Sequence, residues 1–341
     1  MRIITAMSAL VFVLLLLRCS NDAGRCRPQI AFYHWKSSWE PGPGTQAFLD
    51  SLGTTKIYLR LFDVDLDENS GRPVPVGLFE GFAIDSVPEN VIPVVFITNR
   101  TLRNFTEGKN EKLAERMTGL IRSYLPSPAE LQLDCDWTES TRAAFFRLIE
   151  NVKKQLPETA ISVTIRLHQF KYPGPTGVPP ADRGMLMVYN MGEVENWETN
   201  NSIIDPSIAA QYLDHAAAYP LPLDIALPLF QWGCVYRDGR LVQLFHNLTK
   251  TALSDTTRFD PIAEGRFLTK KNTYLDGFFL NKGDRIRLEE VEMDALKEVA
   301  EMLRPITDCC GASLAFYHLD SMIVEKYKPE ELLEVVDVLC N

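Results

Sequence analysis

Eight short apolar segments, separated by stretches with helical spacing, constrain the fold of this chain more than any other feature. Each is rich in β-branched and aromatic residues and is bounded by Gly, Pro or polar residues, which is typical of strands. The segments span residues 29–35, 56–62, 91–97, 130–136, 160–166, 185–189, 223–229 and 313–317. Most are apolar throughout rather than strictly alternating, which predicts a parallel sheet covered by helices.

Helical stripes of apolar residues lie between several of these segments. The four clearest are Leu113, Met117, Leu120, Ile121 and Tyr124; Phe145, Leu148, Ile149, Val152 and Leu156; Met293, Leu296, Ala300 and Leu303; and Leu332, Val335, Val336 and Leu339. Eight strand–helix units over residues 29–341 predict one closed (β/α)8 barrel of the α/β class. The alternative is an open doubly wound sheet, which is disfavoured because no GxGxxG loop follows the first strand.

The alternation of strands and helices is interrupted between the seventh and eighth strands, at about residues 234–290. Residues 236–242 predict a hairpin that turns at Asp238-Gly239, a pair suited to a tight hairpin turn. Residues 274–288 predict further strands with a turn at 282–284. We therefore expect a small insertion on the barrel rather than a separate domain.

The N-terminus has the pattern of a targeting segment. Arg2 precedes an apolar run from Ala9 to Leu17 that is too short to span a bilayer, so residues 1–18 are predicted to be a signal peptide. Cys19 follows in a context that resembles a bacterial lipoprotein cleavage site, except that Arg18 stands where that motif has a small residue. We expect a lipid on Cys19, an anchor or linker over residues 19–28, and a location in the cell envelope. The alternatives are cleavage near Ala23 with full secretion, or an uncleaved anchor.

The charge and the cysteine content limit the classes of molecule that this chain can bind. The formal charge is −10, from 35 Lys and Arg against 45 Asp and Glu, and no basic run occurs, which excludes a general nucleic-acid binder. Six cysteines besides Cys19 lack the paired spacing of a zinc site. One of Cys309 and Cys310 could form a disulfide with Cys340 or Cys26, and buried free thiols are the alternative.

Polar residues follow nearly every predicted strand, where the active sites of such barrels lie. They are His34, Trp35, Asp63, Asp65, Asp134, Asp136, Arg166, His168, Tyr189, Asn190, Gln231, Trp232, His318 and Asp320. Alternation along a strand puts Asp134 and Asp136 on one face, which is the barrel interior if Leu131 and Leu133 pack outward. Two carboxylates this close raise the pKa of one of them, as glycosidases require. The alternative is a structural pair bonded to Arg60 or Arg166.

Several of these segments resemble the chitinase-type (family 18) glycoside hydrolases. Residues 131–138 are similar to the fourth-strand DxxDxDxE signature of that family, and residues 187–190 to its sixth-strand MxYD. Residues 225–233 and 314–320 resemble its seventh and eighth strands. The chain also resembles uncharacterised bacterial lipoproteins that share this barrel. The resemblance implies a glycan-acting barrel in which Asp134, Asp136 and Tyr189 belong to the catalytic site.

One departure from the family concerns the catalytic acid. Thr138 stands where the family has its acidic Glu, and a hydroxyl cannot supply a proton as a carboxylic acid does. We assign Thr138 to the N-cap of the next helix and Glu139 to its first turn. A substitute acid would have to come from Glu193, Glu195 or Asp320.

Two further departures concern the walls of the site. Asn190 replaces an Asp of the family pattern, and Tyr317 lies about where the family has a sugar-stacking Trp. The remaining strand-end residues are predicted to bind substrate, namely His34, Trp35, Arg166, His168, Asn190, Gln231, Trp232 and His318.

No cofactor or metal is expected. Residues 63–69 have the alternating oxygens of a calcium loop but lack its Gly and its final Glu. His34, His168 and His318 could converge on a metal, although such residues more often bind substrate.

Three functions remain open for this chain. The favoured one is a surface glycoside hydrolase with a rearranged acid; the others are a non-hydrolytic glycan-binding barrel and a structural or assembly lipoprotein.

Overall fold

A computed structural model describes residues 26–82, 90–103, 107–213 and 218–340. Its central feature is a closed barrel of parallel strands, in which the last strand pairs with the first, Ser313 opposite Gln29. In barrel order the strands are β1 (Gln29–His34), β3 (Lys56–Leu66), β6 (Val91–Ile97), β7 (Glu130–Asp134), β8 (Ala160–Arg166), β9 (Arg183–Met187), β10 (Leu223–Pro228) and β18 (Ser313–Tyr317). The predicted (β/α)8 barrel is confirmed.

Strand boundaries differ from the predicted segments at the carboxyl ends. β3 runs to Leu66 because its last residues pair antiparallel with β4 (Pro73–Val76), which forms a hairpin above the barrel. β7 ends at Asp134 and β9 at Met187, each two residues earlier than predicted. Asp136 and Tyr189 therefore lie just beyond their strands, in the loops that form the mouth of the barrel.

Helices cover the outside of the barrel. They are α1 (Thr45–Ser51), α2 (Asn99–Leu102), α3 (Glu107–Tyr124), α4 (Arg142–Gln155), α5 (Leu167–Lys171), α6 (Pro173–Thr176), α7 (Pro206–Leu213), α8 (Met293–Leu303), α9 (Ser321–Lys326) and α10 (Pro329–Cys340). The four predicted apolar stripes lie on α3, α4, α8 and α10, apart from Leu156, which caps α4. Their central residues are buried. Removal of this apolar surface from water stabilises the closed barrel.

The barrel interior is unusually polar below its mouth. Leu131 and Leu133 lie in the main apolar core, whereas Gln132 and Asp134 alternate with them. The Tyr33 hydroxyl donates to Oε1 of Gln132 at 2.6 Å. The Ser162 hydroxyl donates to Oε1 of Glu130 at 2.6 Å, one layer further down. These bonds satisfy buried polar groups that would otherwise destabilise the fold.

The insertion between β10 and β18 is an antiparallel sheet with its own apolar cluster, which includes Val235, Phe259 and Ile286. The sheet contains β11 (Trp232–Arg237), β12 (Arg240–His246), β13 (Phe259–Ala263), β14 (Arg266–Thr269) and β17 (Arg285–Glu289). β11 and β12 are joined at Asp238 and Gly239, whose φ angles of 50° and 76° suit the predicted hairpin turn.

Three short elements complete the insertion: a 3-10 helix (Thr251–Leu253), β15 (Thr273–Leu275) and β16 (Phe278–Leu280). A small sheet outside the insertion pairs β2 (Ser38–Trp39) with β5 (Gly81–Phe82).

Two disulfides fasten the chain ends to the segment before β18. Cys26 is bonded to Cys310, and Cys309 to Cys340, whereas Cys135 and Cys234 are free and buried. Cys19 and the predicted signal peptide lie outside the described residues. Within the described ranges, no helix combines the length and apolarity needed to cross a bilayer.

Candidate functional site

Asp134 lies at the base of the barrel mouth, where β7 ends. Its side chain is buried, and its Oδ1 accepts a hydrogen bond from the Thr164 hydroxyl at 2.6 Å. Burial raises the pKa of Asp134 to about 6, with nearby Asp136 adding to the rise and Arg166 opposing it. Asp134 is thus a carboxyl group that exchanges its proton near neutral pH.

Asp136 lies above Asp134 and forms an ion pair with Arg166. The Arg166 Nε donates to Oδ1 of Asp136, and the Asp136 side chain remains 50% exposed. Burial alone would lower the pKa of Arg166, but Asp136 and Asp134 hold it above its usual value. One carboxylate oxygen of Asp136 therefore stays available to a ligand at the mouth.

Arg60 does not join this pair. Its guanidinium binds Asp63 through two bonds, Nε to Oδ1 at 2.6 Å and Nη2 to Oδ2 at 2.7 Å. The sequence left Arg60 and Arg166 as alternative partners of Asp134 and Asp136. The structure shows that Arg166 bonds to Asp136.

Aromatic side chains form one side of the mouth around Tyr317. The Tyr317 ring is stacked on Tyr189 with centroids 5.2 Å apart. It also contacts Trp35 and Phe230, each at a centroid distance of 5.7 Å. Trp35 is only partly buried, and its ring lies beside that of Tyr317. Burial raises the pKa values of Tyr189 and Tyr317, so both hydroxyls stay protonated and able to donate hydrogen bonds.

A cavity of about 480 Å³ opens between the ends of β7, β8 and β9. Its lining includes the polar residues Asp136, Thr138, Arg166, His168, Tyr189, Asn190 and Tyr212. His168 is exposed at its edge, and burial lowers the pKa of its imidazole. Six of the residues predicted from strand ends therefore come together here: Asp134 at the base, and Asp136, Arg166, His168, Tyr189 and Asn190 in the lining.

The start of the helix after β7 differs from the prediction. α4 begins at Arg142 with Thr141 at its N-cap, so the assignment of Thr138 to the N-cap and of Glu139 to the first turn was wrong. The Thr138 carbonyl accepts the N–H groups of Thr141 and Arg142, which forms a turn before the helix. Thr138 and Glu139 are both exposed in that turn.

Glu193 and Glu195 lie on a loop that is bound to the insertion. The Val194 carbonyl between them accepts the Tyr236 hydroxyl at 2.5 Å, and the Asn196 carbonyl, directly after Glu195, accepts Arg287. Both glutamates are exposed, and neither lines the cavity at the mouth.

Asp320 is the third acid considered, and it belongs to a second polar cluster on the rim. Its Oδ1 accepts the Ile323 N–H at 3.0 Å, which caps α9. Its Oδ2 lies 3.9 Å from Nε2 of His318 and 4.0 Å from Nζ of Lys36. The structure thus brings none of the three acids into the cavity beside Asp136.

The two rim histidines are held neutral; His34 is buried and His318 is partly buried. Burial lowers the pKa of His318 to about 4, against the opposing charge of Asp320. Burial also lowers the pKa of His34, whose Nε2 lies 2.7 Å from the Ser38 carbonyl oxygen. His34, His318 and Asp320 therefore form a rim cluster apart from the Asp134–Asp136 site.

Gln231 and Trp232 connect the barrel to the insertion. The Gln231 amide donates to the Leu248 carbonyl at 2.6 Å and accepts Lys326 at 2.7 Å. The Trp232 indole donates to Oε2 of Glu289 at 2.8 Å, and its ring contacts Phe230. The Gln231 amide and the Trp232 indole N–H are therefore hydrogen-bonded to other residues of the protein.

The sequence patterns gave no role to Thr164 or Tyr33, and they placed Tyr317 only through the resemblance to the family's sugar-stacking Trp. Thr164 lies two residues before Arg166, so strand alternation could have placed it on the inward face beside Asp134. The aromatic packing around Tyr317 has no comparable local signal, because it joins four different strand ends. In the part of the chain that the structure describes, no three His, Cys, Asp or Glu side chains gather as a metal site.

Comparisons with known proteins add the fold family. No family model matches the sequence, and no curated protein sequence matches it. The spore cortex-lytic enzyme SleL of Bacillus cereus matches in structure with a TM-score of 0.51 and 13% identity, over 93% of this chain and 76% of that one. The chitinase Chi1 of the Yersinia entomophaga toxin complex matches with a TM-score of 0.53 and 10% identity, over 92% and 86%.

This chain has the fold of a chitinase-type barrel. The resemblance predicted from its strand-end motifs is confirmed at that level. The two neighbours are only 13% and 10% identical to it, so they show its fold and not its chemistry.

The raised pKa of Asp134 predicts a pH-dependent stability. The folded protein keeps this proton up to about pH 6, whereas an unfolded chain loses it near pH 4. The stabilisation from the proton is present below about pH 4 and is lost as pH rises through about 6. The free energy of unfolding falls by about 3 kcal/mol over that range.

The Asp134→Asn variant keeps an oxygen that can accept from Thr164, and it should flatten this pH profile in urea unfolding. Glu139→Gln, exposed nearby, should follow the wild type; equal slopes for wild type and Asp134→Asn would refute the assignment.

Proposed function

We propose that this protein is an exported barrel that binds a glycan at its mouth without hydrolysing it. The observation that carries the proposal is the partly exposed Trp35 ring beside Tyr317, which shares one barrel mouth with the Asp136–Arg166 pair. Sugars present apolar ring faces and polar hydroxyl edges, so they bind where an aromatic face lies beside hydrogen-bonding groups. A barrel of the chitinase type provides a mouth of this kind.

The polar side of the mouth offers both donors and acceptors. Asp136 is half exposed and is bonded to Arg166 at one oxygen, so its other oxygen can accept from a sugar hydroxyl. His168 and Asn190 line the same cavity and supply groups of both kinds. The cavity volume of about 480 Å³ falls in the range of small-ligand pockets.

Hydrolysis has weaker support because a proton donor is missing where the family signature has one. Thr138 lines the cavity at that position, and its hydroxyl lies 3.0 Å from that of Ser140. Glu193, Glu195 and Asp320 are held elsewhere by the insertion and by α9. Asp136 accepts a hydrogen bond from the Arg166 guanidinium, so its contact with that residue is that of an acceptor.

A glycoside hydrolase with a non-standard acid is the second candidate, and one observation favours it. Asp134 has a pKa of about 6, which suits a general acid working near neutral pH. Its burial beneath Asp136 and Arg166 weighs against direct contact with a sugar. This candidate therefore requires a movement of the Asp136–Arg166 pair when substrate binds.

Export and anchoring are part of the proposal. The two disulfides support export, because such bonds persist in oxidising compartments. The apolar run before Cys19 supports a lipid anchor in the cell envelope, with full secretion as the alternative. Fatty-acid labelling of the wild type that Cys19→Ser abolishes would support the anchor, and absence of label on a membrane-associated wild type would contradict it.

Calorimetric titration with a panel of oligosaccharides tests glycan binding. The panel includes chitin fragments, because one structural neighbour is named a chitinase. We expect at least one oligosaccharide to bind, and Trp35→Ala to weaken its affinity at least about ten-fold, since losing an aromatic face costs about 1.4 kcal/mol or more.

The control removes an exposed aromatic ring that lies away from the mouth. Tyr274 is 65% exposed on the insertion, so Tyr274→Ala should leave the affinity unchanged. Failure of every oligosaccharide to bind, or equal losses in both variants, would overturn the proposal.

A further inference from the structure

A second cavity, of about 270 Å³, lies outside the barrel between the β3–β4 hairpin and α3. Five cationic side chains line it, and we call it the basic pocket: Arg72, Arg100, Lys109, Lys112 and Arg116. It shares no lining residue with the cavity at the barrel mouth. No carboxylate belongs to its described lining, although the whole chain carries a charge of −10.

Three of the cations are arranged along one face of α3. Lys109, Lys112 and Arg116 are spaced i, i+3 and i+7, so they project to the same side of the helix, with Leu113 between them. At 100° per residue, Glu111 points away from this face, whereas Glu115 lies on its flank, three residues after Lys112. Like charges at this spacing repel and destabilise a helix, so this arrangement costs stability unless an anion compensates for it.

The cations of the basic pocket are mostly unpaired. Arg100 donates through Nε to Oδ1 of Asp65 at 2.5 Å, which fixes its orientation. Among the described residues, no carboxylate forms an ion pair with Arg72, Lys109, Lys112 or Arg116. As far as the described residues go, the pocket thus presents four positive charges without an ion-pair partner around one anchored guanidinium.

Apolar residues line the rest of the basic pocket. Leu66, Pro73 and Leu113 contribute to its walls, and Leu113 is buried. Arginine and lysine together bind tetrahedral oxyanions through charge-assisted hydrogen bonds. Apolar walls beside them favour an organic group attached to that anion over the free ion.

We infer that the basic pocket binds a small organic phosphate or sulfate ester, with the tetrahedral anion between α3 and Arg72 and the organic body against Leu66, Pro73 and Leu113. Both esters present a tetrahedral anionic group on an organic body, and the geometry sets this class rather than the acid. This site is separate from the proposed glycan site, so either can fail without the other.

Titration of the full chain at constant ionic strength tests the basic pocket. The probes are inorganic phosphate, inorganic sulfate, phenyl phosphate and phenyl sulfate. We expect a phenyl ester to bind at least about ten-fold more tightly than its inorganic ion, because of the apolar walls. Lys112→Gln combined with Arg116→Gln should weaken that binding at least about ten-fold.

A matched control separates a local site from general charge attraction. Lys270→Gln with Lys271→Gln removes the same charge from exposed positions on the insertion and should leave ester binding unchanged. Glycan titration of the pocket variant should match the wild type, and its thermal unfolding should report an intact fold. The inference is overturned if neither ester binds, if the inorganic ions bind as tightly, or if both double variants lose affinity equally.

Discussion

Replacing Cys309 and Cys340 with Ser is expected to lower the free energy of unfolding by about 4 kcal/mol. The bond closes a loop between residues 31 apart in sequence, and its loss frees the unfolded chain to adopt more conformations. In the structure it fastens the end of α10 to the segment before β18. Urea unfolding of the double variant measures the loss.

The Cys26–Cys310 bond joins residues 284 apart, so its removal should cost at least as much, about 5 kcal/mol. It holds the segment before β1 beside the strand that closes the barrel. A reductant should destabilise the wild type but have no effect on a variant that lacks all four cysteines, because Cys135 and Cys234 are unpaired. A wild-type unfolding midpoint that does not respond to reductant would contradict this assignment.

Arg287→Met is expected to destabilise the protein by about 3–5 kcal/mol. Arg287 and Glu289 are 1% and 0% exposed and form a buried ion pair at 2.5 Å. Glu289 also accepts the N–H and hydroxyl of Ser202 at 2.7 and 2.6 Å. Loss of the guanidinium leaves this carboxylate buried without a countercharge, and denaturant unfolding measures the effect.

A second substitution distinguishes an unpaired charge from a simple loss of packing. Glu289→Gln in the Arg287→Met background removes the charge and keeps a side chain of similar size. We expect the double variant to be more stable than Arg287→Met alone, because replacing both members of a buried pair costs less than breaking it. A double variant no more stable than the single one would show that packing, rather than charge, decides the result.

The barrel was predictable because its pattern is local. The strands β6, β8 and β18 coincide with the predicted segments, since short β-rich runs between turn residues need no long-range information. Strand alternation also placed Asp134 and Asp136 on one side. Alternation determines only the side of the sheet on which a residue lies, however. It did not determine that Arg166, rather than Arg60, would bind Asp136.

The positions of the other acids depend on contacts distant in sequence. The loop that carries Glu193 and Glu195 is held through its backbone carbonyls by Tyr236 and Arg287 of the insertion. No sequence pattern near the glutamates indicates that contact. Asp320 is different, because an Asp directly before a helix is an N-cap signal. That signal was present in the sequence and would have directed Asp320 to α9 instead of the catalytic site.

The central claim is that a glycan occupies the barrel mouth and leaves it uncleaved. The most direct test incubates the oligosaccharide that binds most tightly with the wild type and follows its chain length by mass spectrometry while binding is monitored. We predict a bound ligand of unchanged length, with affinity reduced in Trp35→Ala and Asp136→Asn. Shorter products from the wild type, formed about 10²-fold more slowly by Asp136→Asn, would contradict the account and identify a hydrolase.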